Sequence, residues 1–432
     1  MSSSRKVYFY TLGCRVNQYE TDATRELFTS AGYEETDDPS KAQVCVVNTC
    51  TVTAEADRKS GQRLRRLSRE NPDAVIVAMG CASQMADGVV DADIVISNKD
   101  RNNIIRAIEE FKGAKTHKTQ HVRPEVTRKD DYHDFGTVVS PEGSRAFMKI
   151  EDGCDNFCSY CIIPFARGRV ASRSRESILN EARSLAASGF REIIVSGIEV
   201  CSYGEDRGEG IESLLGVLND IASVEGISRI RIGSMEPSSL TSKFIEGIAS
   251  IDKLCPHFHL SLQSGSDTVL KRMNRKYDSS LYLEKVRLLR EAFPTMKLTT
   301  DIICGFPGET DEEFEETLEF VKEAGLSKIH VFPYSVREGT RAASMPQVPG
   351  NVAKQRVNIL LDHSSLAEAS YAKSLVGKDL EVLIETERED YYTGYCREYV
   401  MTHVYVKDGI KHKPGDIITV KAVSNDGAIL IC

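Results

Sequence analysis

A chain of 432 residues exceeds what one hydrophobic core usually serves and calls for two or three domains. Its 55 basic and 64 acidic residues leave a net charge of −9, which argues against a protein coated in nucleic acid and confines any RNA contact to local patches. No run approaches the ~18 apolar residues of a membrane span and the opening MSSSRKVYFYT has no apolar targeting segment, so a soluble cytoplasmic protein is expected.

Up to about residue 112, apolar runs alternate with helical segments, the grammar of an α/β layer on a largely parallel sheet. The runs are Val7 to Leu12, Val44 to Asn48, Ala74 to Met79 and Asp93 to Ser97, and the first three lead to Cys14, Cys50 and Cys81. Parallel sheets gather the carboxyl ends of their strands on one edge, where ligands sit. Spacings of 36 and 31 residues fit βαβ units, so three distant thiols are expected to converge. The plainer alternative is three unrelated buried cysteines. In a reducing compartment twelve cysteines read as metal ligands, redox groups or core filler rather than disulfides. After Cys50, the helix DRKSGQRLRRLSRE carries six Lys or Arg residues with little compensating acid. Arg63, Arg65 and Arg66 are therefore candidates for RNA phosphate contact, with a solvated face as the alternative.

Residues 113–144 are rich in charge and poor in apolar side chains and are expected to form a linker. A short apolar strand follows, and then the run DGCDNFCSYC, in which Cys154, Cys158 and Cys161 stand as CxxxCxxC. Three thiolates can hold an iron-sulfur cluster and leave one iron open for chemistry. A structural zinc would need a fourth ligand nearby, and no His or Cys follows to supply one. Just beyond, Arg167, Arg169 and Arg173 form a second basic cluster suited to a polyanion or a cofactor carboxylate.

From Arg145 to about Ser335 six strand candidates alternate with helices: AFMKIE, REIIVSG, SRIRIGS, HFHLSLQS, KLTTDIICGF and KIHVFPYS. The pattern predicts a barrel-like βα domain with too few strands to close at eight. Polar residues recur at the strand ends, where such barrels build their sites: Gly197 and Glu199, Ser234 and Glu236, Gln263, and Asp301. In GFPGET the glycines and proline can equally shape a turn that Thr310 caps. A helical connector extends to 376, and residues 377–432 change to short β runs split by KDG, KPGD and NDG turns, the mark of a small all-β barrel of a kind that often meets RNA.

Together these motifs resemble the radical S-adenosylmethionine enzymes, and the strand-end cysteines narrow the resemblance to the methylthiotransferases, with a C-terminal module similar to TRAM RNA-binding domains. TLGCRVNQYET, NTCTVTAEAD, DGCDNFCSYCIIPFARGR, SLQSGS, TDIICGFPGET and HVFPYSVREGTRAA look most like the tRNA N6-threonylcarbamoyladenosine methylthiotransferases. Relatives acting on isopentenyladenosine or on a ribosomal-protein aspartate usually differ after the second cysteine, where this chain reads CTVT. The resemblance implies two [4Fe-4S] clusters, a radical one on Cys154, Cys158 and Cys161 and an auxiliary one on Cys14, Cys50 and Cys81. It further implies S-adenosylmethionine, for which Gly197, Glu199, Ser234, Glu236, Gln263 and Asp301 are the candidates by their place at strand ends, with Tyr160 either beside the adenine or in ordinary packing, and a flavodoxin- or ferredoxin-like electron donor is expected. The expected product is 2-methylthio-N6-threonylcarbamoyladenosine at position 37 of tRNA, made by a monomer. A non-catalytic iron-sulfur RNA-binding protein is the reading from another class, disfavoured because electron carriers usually saturate their irons.

Overall fold

The computed structural model describes residues 5–85, 91–111, 131–139, 141, 143–405 and 411–432. At the N-terminus β1 (Arg5–Thr11), β2 (Tyr33–Glu35), β3 (Val44–Thr49), β4 (Val75–Gly80) and β5 (Ile94–Val95) form one parallel sheet in the order β2-β1-β3-β4-β5. Every residue of the central β3, VCVVNT, is buried, which is why it reads as an unbroken apolar run. Helices α1 (Arg15–Ser30), α2 (Ala54–Glu70), α3 (Cys81–Met85) and α4 (Ile104–Glu110) accompany it, and Thr53 caps α2 through the Ala56 amide at 3.1 Å. Separate apolar clusters on the two faces, around Val46 and Val47, make this a doubly covered layer.

The central domain holds β6 (Ala146–Lys149), β7 (Glu151–Asp152), helix α5 (Ile163–Arg167), β8 (Ala171–Ser172), β9 (Glu192–Ser196), β10 (Arg229–Ile232), β11 (Ser234–Met235), β12 (His257–Leu260), β13 (Lys297–Cys304) and β14 (Lys328–Pro333). Two parallel sheets, β10-β9-β6 and β11-β12-β13-β14, are one curved wall interrupted at Gly233. All six expected strands are present, and with too few strands to close, the wall is a partial barrel around the largest apolar core of the described residues.

Of the segment expected as a linker, 113–130 lies outside the described residues. Residues 131–139 are packed rather than a free link: Val138 is buried and the Tyr132 hydroxyl donates to the Lys149 carbonyl at 3.2 Å. The connector contains a 25-residue helix, Gly350–Ser374, laid along β14. Beyond it β15 (Asp379–Glu387), β16 (Tyr392–Cys396), β17 (Met401–Val404), β18 (Ile417–Lys421), β19 (Ser424–Asp426) and β20 (Ile429–Ile431) make a six-stranded sheet, β18-β15-β16-β17-β20-β19. Its edge strands do not pair, so the small all-β module is a curled half-barrel. The sheet docks under the amino ends of the central strands: Arg229 at the start of β10 bonds Glu381 (2.7 Å) and the Tyr395 carbonyl (3.1 Å), and Lys297 at the start of β13 reaches the Tyr399 carbonyl (3.2 Å). The GYCREY segment, 394–399, faces the barrel.

Candidate functional site

The three N-terminal cysteines stand level at the carboxyl edge of adjacent strands. Pairing of Thr49 with Gly80 sets Cys50 beside Cys81, and a Cβ added to Gly13 would lie 3.0 Å from that of Cys50, which brings in Cys14. Asn17 stitches the loops together, its amide donating to Leu12 O (2.9 Å), Thr49 O (3.0 Å) and Asn48 Oδ1 (3.1 Å). Gly80, at φ +95°, must be glycine, because a Cβ there would meet Asn48 Oδ1 at 2.3 Å and Thr49 O at 2.4 Å. Burial pushes the Cys81 thiol up to about 12 against the opposing pull of Arg167, and burial also raises Cys50. Such thiols stay protonated until a metal takes the proton's place.

The second group sits in the loop between β7 and α5. Gly153, at φ +79°, passes so near the returning chain that a Cβ would fall 2.0 Å from Arg169 O. The loop is pinned from α9 (Asp267–Arg272) and the turn after it, once α6 (Arg175–Ala187), α7 (Glu212–Ser223) and α8 (Ser242–Ala249) have passed. The Ser159 amide donates to Met273 O (2.9 Å), Asn274 donates to Phe157 O (3.0 Å), and Arg275 NH1 lies 3.1 Å from Cys158 Sγ. Burial raises Cys154 well above its ordinary value and Cys161 to about 12. Tyr160 packs edge-on against Phe306 with ring centroids 6.4 Å apart, inside an apolar cluster with Met273 and Ala342.

Beside this loop the strand ends assemble an acidic pocket. Glu236 is ion-paired to Arg275, Glu151 Oε1 accepts from the Glu199 amide at 2.7 Å, and Glu199 Oε1 accepts from the Cys201 amide at 3.1 Å. Burial, then the neighbouring Glu236, lifts the Glu199 carboxyl to about 8, and burial raises Glu151 and Glu236 too. Glu151 Oε2 and Glu236 Oε1 are buried with no hydrogen-bond partner, an arrangement that is costly unless a donor arrives from outside. Gly197 is small for a reason: a Cβ would stand 1.9 Å from Glu151 Oε1. Gly197→Ala is expected to expel that carboxylate, leave the Glu199 amide unpaired and cost about 1–3 kcal/mol, read as a lower urea midpoint alongside weaker S-adenosylmethionine binding. An unchanged midpoint and affinity would show the pocket to be slack.

Ser234 and Asp301 line a larger cavity that Gly197 also borders. Asp301 lies inside β13 rather than at its end, and its carboxylate is 3.3 Å from His259 Nε2. Gln263 extends the ladder between β12 and β13, its amide donating to Asp301 O at 2.8 Å with φ +70°. The GFPGET turn follows the structural alternative: Thr310 and Glu313 form a capping box, and Glu309 accepts from the Gly305 amide at 2.7 Å.

Two of the arginines proposed to meet RNA are corrected outright. The Arg167 side chain is 0 % exposed, with Nε 3.2 Å from Cys81 Sγ and NH1 at 2.8 Å from Glu20 and 3.0 Å from Asp152, which stands two residues before Cys154. Lys149 (2.9 Å) and Arg101 (2.7 Å) complete the pairing of Glu20. Burial alone would raise Glu20, but Arg101, Arg167 and Lys149 hold it well below the carboxylate range. Three cations against two carboxylates leave this buried knot net positive beside Cys81, a pull that opposes burial without overcoming it. Arg173 is likewise enclosed, bonded to Glu181 (2.9 Å), the Tyr19 hydroxyl (3.1 Å) and Gly136 O (2.9 Å). Arg63 folds back onto Tyr8 (2.5 Å to its hydroxyl) and Tyr10 (4.1 Å to its ring), which removes it from the exposed face of α2. Arg65, Arg66 and the partly exposed Arg169 remain accessible, each facing a carboxylate: Asp91 at 3.3 Å, Glu70 at 2.9 Å and Asp155 at 3.5 Å. The α2 surface is thus better compensated than its own sequence implied.

Sequence reasoning passed over Glu20, Lys149, Glu151, Asp152 and Arg275. Glu151 and Asp152 adjoin the CxxxCxxC run and a closer reading of that strand end would have found them; Arg275 carries no local signal at all.

A curved parallel half-barrel with a CxxxCxxC loop after its first strand defines a radical S-adenosylmethionine fold. Accordingly, residues 148–321 match the Radical SAM superfamily and residues 6–95 match "Uncharacterized protein family UPF0004". The chain is 40% identical over 428 residues (96% of it, 93% of the relative) to "Threonylcarbamoyladenosine tRNA methylthiotransferase MtaB" of Bacillus subtilis, and 38% identical to the protein of that name in Aquifex aeolicus (88% and 93% covered). It is 36% identical to "tRNA-2-methylthio-N(6)-dimethylallyladenosine synthase" of Syntrophotalea carbinolica (88% of each chain). Among solved structures, the radical S-adenosylmethionine methyltransferase TsrM of Kitasatospora setae superposes with TM-score 0.56 at 16% identity over 76% of this chain and 73% of that one, a likeness of fold. The chain belongs to the radical S-adenosylmethionine methylthiotransferase family. No helix among the described residues is long and apolar enough to cross a membrane.

Proposed function

We propose that this protein converts N6-threonylcarbamoyladenosine at position 37 of tRNA to its 2-methylthio derivative. One observation carries the reading: two separate groups of three cysteines flank a shared knot of buried charge, each one donor short of a complete four-thiolate cage. The named relatives support the choice of base. Cys154, Cys158 and Cys161 would hold the radical [4Fe-4S] cluster, and Cys14, Cys50 and Cys81 the auxiliary one. The partnerless oxygens of Glu151 and Glu236 suit the ammonium of S-adenosylmethionine, with Gly197 and Glu199 shaping the same pocket. When bound, these groups supply one-electron cleavage of S-adenosylmethionine, the sulfur and the methyl group.

The chain's own part is to position and to shield. Asn17, Gly80 and Gly153 fix the cysteine loops, Arg275 holds positive charge at Cys158, and Arg167 couples the two groups. Electrons would come from a flavodoxin- or ferredoxin-like donor, and the protein would act as a monomer in the cytoplasm. Arg65 and Arg66, both more than half exposed, are the basic residues of α2 best placed for tRNA phosphates. Changing both to Gln is expected to weaken tRNA binding and to reduce the slope of log affinity against log salt by roughly 1 to 2. An unchanged slope would return that face to solvent.

The function itself is tested by analysing tRNA nucleosides from cells lacking the protein. Loss of the methylthio group from threonylcarbamoyladenosine alone is the expected result; loss only from isopentenyladenosine would overturn the choice of base.

A further inference from the structure

A cavity of about 780 Å³ lies between the Cys14 loop, the inner faces of β9 and β12–β14, and Tyr395 and Tyr399 of the C-terminal sheet. Its volume suits a nucleoside with a side chain. The charged and titratable groups facing it are His257, His259, Lys297, Asp301, Lys328 and His330 from the barrel, Glu368 from the long helix, and Arg15 from the start of α1. Both carboxylates are engaged. Glu368 accepts from Lys297 (3.2 Å) and Lys328 (3.0 Å), and Asp301 faces His259.

Arg15 is different. Its side chain has neither a hydrogen bond nor a carboxylate partner among the described residues, and its guanidinium stands 6.0 Å from the centre of the Tyr399 ring. Arg145 and Arg231 also approach that ring, at 5.2 and 4.5 Å, but Glu385 (2.6 Å) and Glu192 (3.1 Å) hold them. The cavity therefore contains one guanidinium free to take an anion, in the residue next to Cys14.

Resting on the function proposed above, we infer that Arg15 binds the carboxylate of the threonylcarbamoyl group and so selects the anionic base over an apolar one. The fork of a guanidinium matches a carboxylate through two parallel hydrogen bonds. An isopentenyl group in the same place would cover the cation and give it nothing, and sites that leave a polar group unpaired reject such analogues strongly. Because Arg15 adjoins Cys14, the carboxylate it holds draws the base toward the cysteine group proposed to deliver sulfur.

The test measures binding of anticodon stem-loops carrying threonylcarbamoyladenosine, its threonine methyl ester, or isopentenyladenosine to the cluster-loaded protein and to Arg15→Gln of equal iron content. The intact protein is expected to favour the acid over the ester roughly 10- to 100-fold, the worth of a charged hydrogen bond, and Arg15→Gln to lose that ratio. Equal binding of acid and ester by the intact protein, or a full ratio in Arg15→Gln, overturns the inference. Should Arg15→Gln fail to hold iron, the acid-to-ester ratio of the intact protein decides alone. A preference of the intact protein for isopentenyladenosine would instead overturn the choice of base.

Discussion

Cys158→Ala is expected to abolish S-adenosylmethionine cleavage, whereas Cys50→Ala is expected to leave cleavage largely intact and stop sulfur insertion. The reason lies in the separation of the two thiol groups. Cys158 belongs to the loop that Ser159, Asn274 and Arg275 anchor beside the acidic pocket of Glu151, Glu199 and Glu236. Cys50 sits at the end of β3, on the far side of the Arg167 knot, next to Cys81. With three thiolates each, neither group has a ligand to spare. Anaerobic assay of 5′-deoxyadenosine and of methylthiolated tRNA, with iron counted in each variant, reads the two activities separately. Cleavage by a Cys158→Ala protein with full iron would contradict the assignment of the radical cluster; both activities surviving in Cys50→Ala would remove the auxiliary one.

Arg167→Gln is expected to act on stability rather than on RNA affinity. Removing Arg167 from a buried ion-pair network strips Glu20 and Asp152 of the guanidinium they share and costs roughly 3–5 kcal/mol. Because Glu20 belongs to α1, Asp152 to β7 and Cys81 to α3, the loss should loosen both cysteine loops and lower iron content together. A urea titration of the anaerobic protein measures the midpoint. An unchanged midpoint combined with weaker tRNA binding would restore the surface role that the local sequence suggested.

Architecture was legible where burial is two-sided. β3, β4 and β9, buried at nearly every position, read as apolar runs because both of their faces are covered. The short β2, Tyr-Glu-Glu, was not legible, since only its Tyr33 is buried. β16, YTGYC, is short and interrupted by a glycine, and its alternation buries Tyr392, Gly394 and Cys396. The cysteine spacings carried the candidate site, because ligand chemistry demands particular residues at strand ends.

Charge was the least legible feature. ARGRVASR looks like a basic patch, yet Arg167 is buried against Glu20, 147 residues away, and Arg173 against Glu181 of the following helix α6, and the compaction that joins them leaves no mark in the run itself. The inward row of His259, Asp301 and His330 was recoverable: alternation along HFHL, KLTTD and KIH puts them on one face of adjacent strands. Arg15 sat unnoticed inside a motif whose cysteine drew all the attention.

In the proposed reaction sulfur and a methyl group reach the adenine of a threonylcarbamoylated tRNA. Mass spectrometry of tRNA nucleosides after incubation with the reduced, cluster-loaded protein, sulfide and S-adenosylmethionine tests it most directly. The account predicts 2-methylthio-N6-threonylcarbamoyladenosine together with 5′-deoxyadenosine. A cluster-replete protein that leaves this base untouched, or that methylthiolates only isopentenyladenosine, would contradict it.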